Sequence, residues 1–216
     1  MLNINLRPLK DIFFDPLCHY TPYFIKPLHV TLLAFICGIQ ACIYAYLSNL
    51  PKALLFWILN RSLDCLDGAL ARSRKQVSEL GGFLDLLGDF IVYSMIPICC
   101  ALGQSDISSL PVRGCHSTRL WVAVALLEES FHISNFVLFY IAAILEKTKV
   151  SNTEKQIKEL TSVMMKPALV EGFESGLFFT VMLAYHQYTK ELSWAMAGLV
   201  SIGIVQRVLW LVPVLS

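Results

Sequence analysis

Four carboxylates, Asp64, Asp67, Asp85 and Asp89, stand at spacings of three and four on either side of a short basic loop, in the stretch DCLDGALARSRKQVSELGGFLDLLGD at residues 64–89. Such spacings put side chains on one face of a helix. Asp64 therefore shares a face with Asp67, and Gly81, Asp85 and Asp89 share another. The residues around them are apolar and read as two membrane helices. Carboxylates facing one another inside a bilayer do not stay unpaired. A cation has to hold them, and a divalent metal is the simplest candidate. Carboxylate oxygens suit a hard cation, and a hard cation neutralises the charge of a pyrophosphate bridge. In-line attack on phosphorus also needs a hydroxyl and a base within ~2.6–3.2 Å of its proton. A carboxylate at the edge of the cluster can serve. Arg72 offers a planar fork for phosphate or, equally, an interfacial charge. Gly68 lets a nucleotide come close to the backbone.

The elements that must position these groups follow from composition. The chain has 216 residues, 56% hydrophobic and 15% charged, with a mean hydropathy of +0.61. Soluble domains carry about 25% charged residues, so this is the composition of a membrane protein. Spans need about 20 apolar residues, and six are expected, at roughly 28–48, 52–72, 82–102, 120–146, 168–188 and 192–213. Pro27 and Pro51 stand where helices tend to start. Residues 5–20 read as an amphipathic helix on the membrane surface, with Leu9, Ile12, Phe13 and Leu17 as its apolar stripe. No cleavable signal is evident in residues 1–26. The Ser-, Gly- and Pro-bearing stretch 103–118 reads as a linker outside the membrane, and 147–167 as a polar segment that can form a short surface helix. One membrane domain, 1–216, is expected, all-α and polytopic.

Charge sets the orientation. With six spans, one side holds Arg7, Lys10, Lys26, Arg72, Arg74, Lys75, Lys147, Lys149, Lys155, Lys158 and Lys166, and the other Lys52, Arg113, Arg119 and Lys190. Eleven against four makes the first side cytoplasmic. At ~1.5 Å of rise per residue, all four carboxylates then lie about one to two turns inside the cytoplasmic ends of their spans, in one cavity at headgroup level. No basic stripe interleaves with aromatics, so nucleic acid is not an expected partner. The seven cysteines are odd in number and lie mostly in apolar runs, as small apolar filler.

Asp64-x-x-Asp67-Gly68-x-x-Ala71-Arg72, eight residues, then Gly81-x-x-x-Asp85-x-x-x-Asp89 resembles the signature of the CDP-alcohol phosphatidyltransferase family, matching it in type and spacing throughout. The six expected spans and the surface helix before them resemble that family too. The resemblance implies transfer of a phosphoalcohol group from a CDP-linked donor to an acceptor hydroxyl, with release of CMP, in phospholipid biosynthesis. It implies a Mg2+ or Mn2+ cofactor held by Asp64, Asp67 and Asp85, and Asp89 as general base with a share in the metal site. Gly68, Arg72 and Ser78 match positions that bind the CDP portion. The segment KPLHVT, ending at Thr31, is similar to the family's N-P-x-T start of the first span but lacks the Asn-Pro pair. The expected partners are a CDP-linked donor, CDP-diacylglycerol among the options, an acceptor alcohol and membrane lipid; a homodimer is compatible with the resemblance.

A second polar cluster lies in the later spans. Glu128, His132 and Asn135 fall at i, i+4 and i+7, Glu129 is adjacent, Glu171 and Glu174 open the fifth span, and Arg207 lies in the sixth. It reads either as an internal ion-pair network around Arg207 or as the acceptor pocket, with Glu171, Glu174, His132 and Asn135 as its residues. His29 is a lesser candidate. Excess Glu over Lys and Arg in these spans favours a neutral, zwitterionic or cationic acceptor over a doubly anionic one. An ion or proton transporter can also use intramembrane carboxylates. It needs neither the Gly nor the Arg positions of the motif, and no broken-helix repeat is visible. Intramembrane prenyltransferases hold their two Asp clusters far apart in sequence, whereas these four lie in one helix pair.

Overall fold

Helices begin where the sequence supplies a way to begin them. Pro27 opens the first, α1 (Pro27–Tyr46), where the ring Nδ1 of His29 accepts a 3.3 Å hydrogen bond from the Lys26 N–H. Asn49 caps the second, α2 (Leu50–Ser73), its Oδ1 accepting from the Lys52 N–H, with Pro51 in the first turn. Between them Ser48 takes a left-handed backbone, φ 55°. The chain continues through α3 (Glu79–Ile107), α4 (Gly114–Val150) and α5 (Gly172–Ala184), a 3-10 turn at His186–Tyr188, and α6 (Thr189–Leu215). This computed structural model describes residues 16, 18–107, 114–150 and 172–215. Among them there is no strand, so the all-α expectation holds.

Among the described residues, four stretches are long and apolar enough to cross a membrane: Pro27–Tyr46, Glu79–Gln104, Thr118–Lys147 and His186–Pro213. The second expected span is a 24-residue helix, but it carries Lys52, Arg61, Asp64, Asp67 and Arg72. The fifth is described over 13 residues, a rise of about 20 Å. The expected linker at 103–118 is narrower at its edges: helix α3 runs on to Ile107 and α4 starts at Gly114, with 108–113 outside the described residues. The Gln104 side chain donates to the His186 carbonyl oxygen, tying the last turns of α3 to the start of α6. Of the expected surface helix at 5–20, only residues 16 and 18–20 are described, and they are helical; most of 147–167 lies outside the described residues.

Helix α1 packs on α2 and α3, while α4 packs chiefly on α6 and α5 lies against α2 and α3. Small residues permit the close approach. A Cβ on Gly38 would stand 2.6 Å from a Val92 methyl, and one on Gly103 2.7 Å from the Ala45 carbonyl oxygen. The core centres on Trp57, which is fully buried and edges onto Phe179 with ring centroids 6.2 Å apart. Its indole N–H donates a 2.8 Å hydrogen bond to the Thr180 hydroxyl, locking α2 to α5. Leu55, Ile58, Ile202, Val205 and Leu209 are exposed, as lipid-facing residues are.

Candidate active site

The two carboxylate-bearing helices, α2 and α3, are joined by a short basic turn. Lys75 takes φ 55° just after α2 ends. Arg74 donates to the carbonyl oxygens of Thr21 (2.6 Å) and Ile25 (2.7 Å), which fastens the turn to the segment before α1. Helix α3 starts under Ser78, whose Oγ accepts a 3.1 Å hydrogen bond from the Gly81 N–H. The expected CDP-binding serine is thus exposed and acts as a helix cap. Gly68 and Arg72 are neighbours in space: a Cβ on Gly68 would meet Arg72 Nη1 at 3.2 Å. Arg72 is exposed and borders an open cavity of about 940 Å³ shared with Cys18–Tyr23.

The four carboxylates differ in what holds them. Asp67 is 6% exposed and accepts a 2.5 Å hydrogen bond from the Thr31 hydroxyl of α1. Asp64 and Asp85 are partly buried neighbours across the α2–α3 interface. Asp89 is gripped by Arg61, whose Nη1 lies 3.3 Å from Oδ2 while Nη2 donates to Oδ1. Arg61 Nη1 is also 3.6 Å from Asp64 Oδ2. A protein cation therefore stands inside the cluster. Arg61 is a site residue that the sequence analysis does not single out, although its i, i+3 spacing to Asp64 is a signal for it.

One guanidinium does not balance four carboxylates. Two adjacent carboxyls, Asp64 and Asp85, need a proton or a cation between them, and Asp67 lies on the same face of α2. An all-oxygen donor set of this kind fits a hard divalent ion such as Mg2+ or Mn2+. Among the described residues no three His, Cys, Asp or Glu side chains converge on one metal position, and Arg61 stands between Asp64 and Asp89.

Beyond Asp89 opens a second cavity, about 930 Å³, lined by α3, α4, α5 and α6. Its polar lining includes Asp89, Glu128, His132, Asn135, Ser175 and Arg207, and its walls are aromatic, with Phe90, Phe131, Phe136 and Phe139. The Glu128, His132, Asn135 face expected from the sequence does point together into one space. Of the four carboxylates, Asp89 alone borders it. Glu174 is not among its lining residues while the next residue, Ser175, is; Glu171 lies outside the described residues. Arg207 is 6% exposed, with Nη1 3.5 Å from the Ser134 hydroxyl. Oε1 of Glu128 is buried without a hydrogen-bond partner.

The family model for CDP-alcohol phosphatidyltransferase matches residues 24–197. The chain is similar to the inner membrane protein YnjF of Escherichia coli (strain K12), 32% identical over 157 residues that cover 73% of this chain and 68% of that protein. It is similar to the archaetidylinositol phosphate synthase of Pyrococcus horikoshii, 38% identical over 93 residues, 42% of this chain and 50% of that one. A third likeness is to the CDP-diacylglycerol–serine O-phosphatidyltransferase of Bacillus subtilis (strain 168), 34% identical over 88 residues, 41% of this chain and 49% of that one. No solved structure matches.

Proposed function

The chain belongs to the CDP-alcohol phosphatidyltransferase family and is an integral membrane protein, and from that premise we propose that it moves a phosphatidyl group from CDP-diacylglycerol to an acceptor alcohol, releasing CMP. The Bacillus relative is named for that donor, which is the reason for choosing it. In this reading Asp64, Asp67 and Asp85 hold Mg2+ or Mn2+. When bound, the ion neutralises pyrophosphate charge as a Lewis acid. Gly68 admits the cytidine diphosphate to the backbone of α2, Arg72 presents its fork to a phosphate, and Ser78 lies at the nearby start of α3. The acceptor hydroxyl sits at Asp89. Its oxygen forms a bond to phosphorus, the bond from phosphorus to the CMP oxygen breaks, and Asp89 takes the hydroxyl proton.

The observation that carries this reading is the position of Asp89. It stands on the carboxylate face of α3 and also borders the 930 Å³ cavity, so a donor on one side and an acceptor on the other would meet at its carboxylate. His132, Asn135, Glu128 and Arg207 are the groups available to an acceptor. One carboxylate and one guanidinium suit a neutral or zwitterionic alcohol. Six spans in one domain, with both ends and the 73–81 loop cytoplasmic, complete the proposal, on the charge asymmetry.

The experiment is a transfer assay on purified protein with radiolabelled CDP-diacylglycerol, a CDP-linked soluble headgroup as the competing donor, and a panel of acceptor alcohols. CMP release that needs both a donor and an alcohol is the expected result. If neither donor is consumed with any acceptor in Mg2+ or Mn2+, the proposal fails.

A further inference from the structure

Arg61 is the most heavily engaged polar side chain near the carboxylates, and the transfer chemistry does not use it. Its Nε donates to Asn60 Oδ1 at 2.8 Å, its Nη1 to the Tyr93 hydroxyl at 2.9 Å, and both Nη atoms address Asp89. Its guanidinium carbon lies 4.9 Å from the Trp57 ring centroid and 5.1 Å from that of Tyr93. Each support is itself fixed. Asn60 donates to the Ala34 carbonyl oxygen at 2.8 Å, anchoring it to α1, and Trp57 is bonded to Thr180 on α5. Two aromatic faces set the plane of the fork, and hydrogen bonds at its base set its rotation.

We propose that Arg61 is a positioning residue that fixes the orientation of the Asp89 carboxylate at the acceptor cavity. The inference rests on the transfer reading above. A planar fork that engages both oxygens of a carboxylate fixes its orientation as well as its place, which a lysine ammonium does not. Without the fork, the Asp89 carboxylate is free to rotate away from the orientation that faces the hydroxyl. The base would then be misplaced with respect to the hydroxyl while the donor side stayed intact. A misplacement of about 1 Å can cost on the order of 10²-fold in rate.

The test is a double-mutant cycle on the full-length protein in detergent: wild type, Arg61→Lys, Asp89→Asn and the double variant. Four quantities are read for each: melting temperature, affinity for CDP-diacylglycerol by calorimetry, kcat for acceptor-dependent CMP release, and the share of donor lost to water instead of alcohol. Arg61→Lys is expected to melt close to wild type and to bind donor within about twofold of it. It should lose about 10–100-fold in kcat and send more donor to water. In the Asp89→Asn background it should cost nothing further. Tyr93→Phe, which removes the hydroxyl beside the fork, should show a smaller loss with the same non-additivity and serves if Arg61→Lys does not fold. If wild type turns over but the losses multiply, or donor affinity falls in step with kcat, the positioning role is overturned while the transfer reading stands. A wild-type protein without acceptor-dependent release overturns both.

Discussion

The Thr31 hydroxyl donates a 2.5 Å hydrogen bond to Oδ2 of Asp67, 36 positions further along the chain. It ties the start of α1 to the carboxylate helix α2. The Thr31 oxygen is also 3.2 Å from the Pro27 carbonyl oxygen, but it has one hydrogen to give, and the shorter contact takes it. A buried carboxylate with no donor would be costly, and a ligand's own hydrogen-bond partner orients it for metal.

Thr31→Val keeps the shape and removes the donor. Outer partners of metal ligands typically contribute 10–100-fold to metal affinity or activity. The variant should therefore need about that much more Mg2+ or Mn2+ for half-maximal turnover and recover most of its rate at saturating metal. Metal titration of the transfer rate checks this. An unchanged metal requirement would separate the Thr31–Asp67 bond from the metal site.

Much of the carboxylate arrangement was legible because it is local. Spacings of three and four decide a helix face whatever the rest of the chain does, so Asp64 with Asp67 and Asp85 with Asp89 could be read directly. Pro27 and Pro51 marked helix starts for an equally local reason. The Thr31–Asp67 bond, the Trp57–Thr180 bond and the joining of Asp89 with Glu128, His132 and Arg207 in one cavity depend on which helices touch, and no periodicity carries that. The edges of the 103–118 stretch were drawn too wide for a different reason. Gly and Ser lower helix propensity, but tertiary context overrides propensity at 103–107 and 114–118, which are helical. Arg61 is not legible as Asp89's partner because that contact joins α2 to α3 and depends on how the two helices pack.

Packing predicts a stability effect far from the carboxylates. A Cβ on Gly103 would stand 2.7 Å from the Ala45 carbonyl oxygen and 2.8 Å from that of Tyr46. Both are backbone atoms and cannot swing aside. Gly103→Ala should force α3 away from the end of α1, strain the 3.2 Å contact of Ser48 Oγ with the Gly103 carbonyl oxygen, and cost about 1–3 kcal/mol. Gly82→Ala, where no atom comes within 4 Å of the added methyl, is the control. Thermal melting of the two variants in one detergent makes the comparison, with a lower midpoint expected for Gly103→Ala alone.

Orientation can be read by labelling. Cys18, Cys37, Cys42, Cys99 and Cys100 are buried and Cys65 is partly so; with Cys115, at the start of α4, replaced by serine, background labelling stays low. A cysteine introduced by Gln76→Cys, in the exposed turn between α2 and α3, should react with a membrane-impermeant maleimide only when the cytoplasmic face is open to it. The basic turn of Arg72, Arg74 and Lys75 is the reason. Labelling from the outer face of intact cells would turn the carboxylates away from cytoplasmic nucleotide and require a different donor.

The base and the metal ligands should part company on substitution. Asp67 is buried, bonded to Thr31 and remote from the 930 Å³ cavity, whereas Asp89 borders that cavity and is held by Arg61. Asp67→Asn is expected to abolish turnover and to weaken metal-dependent binding of CDP-diacylglycerol, as rigorous chelation should do to wild type. Asp89→Asn keeps the size of the side chain and one acceptor oxygen for Arg61, but it loses the second acceptor and the ability to take a proton. A base contributes about 10²–10⁴-fold to rate, so a loss of that order is expected, with donor affinity nearly unchanged. Calorimetric titration of the donor in the presence of Mg2+, run beside the transfer assay, reads both quantities on the same sample. If Asp89→Asn weakens donor binding as much as Asp67→Asn does, Asp89 serves chiefly as a metal ligand, and the proton acceptor must be sought among the carboxylates of the later helices, Glu128 on the cavity wall first.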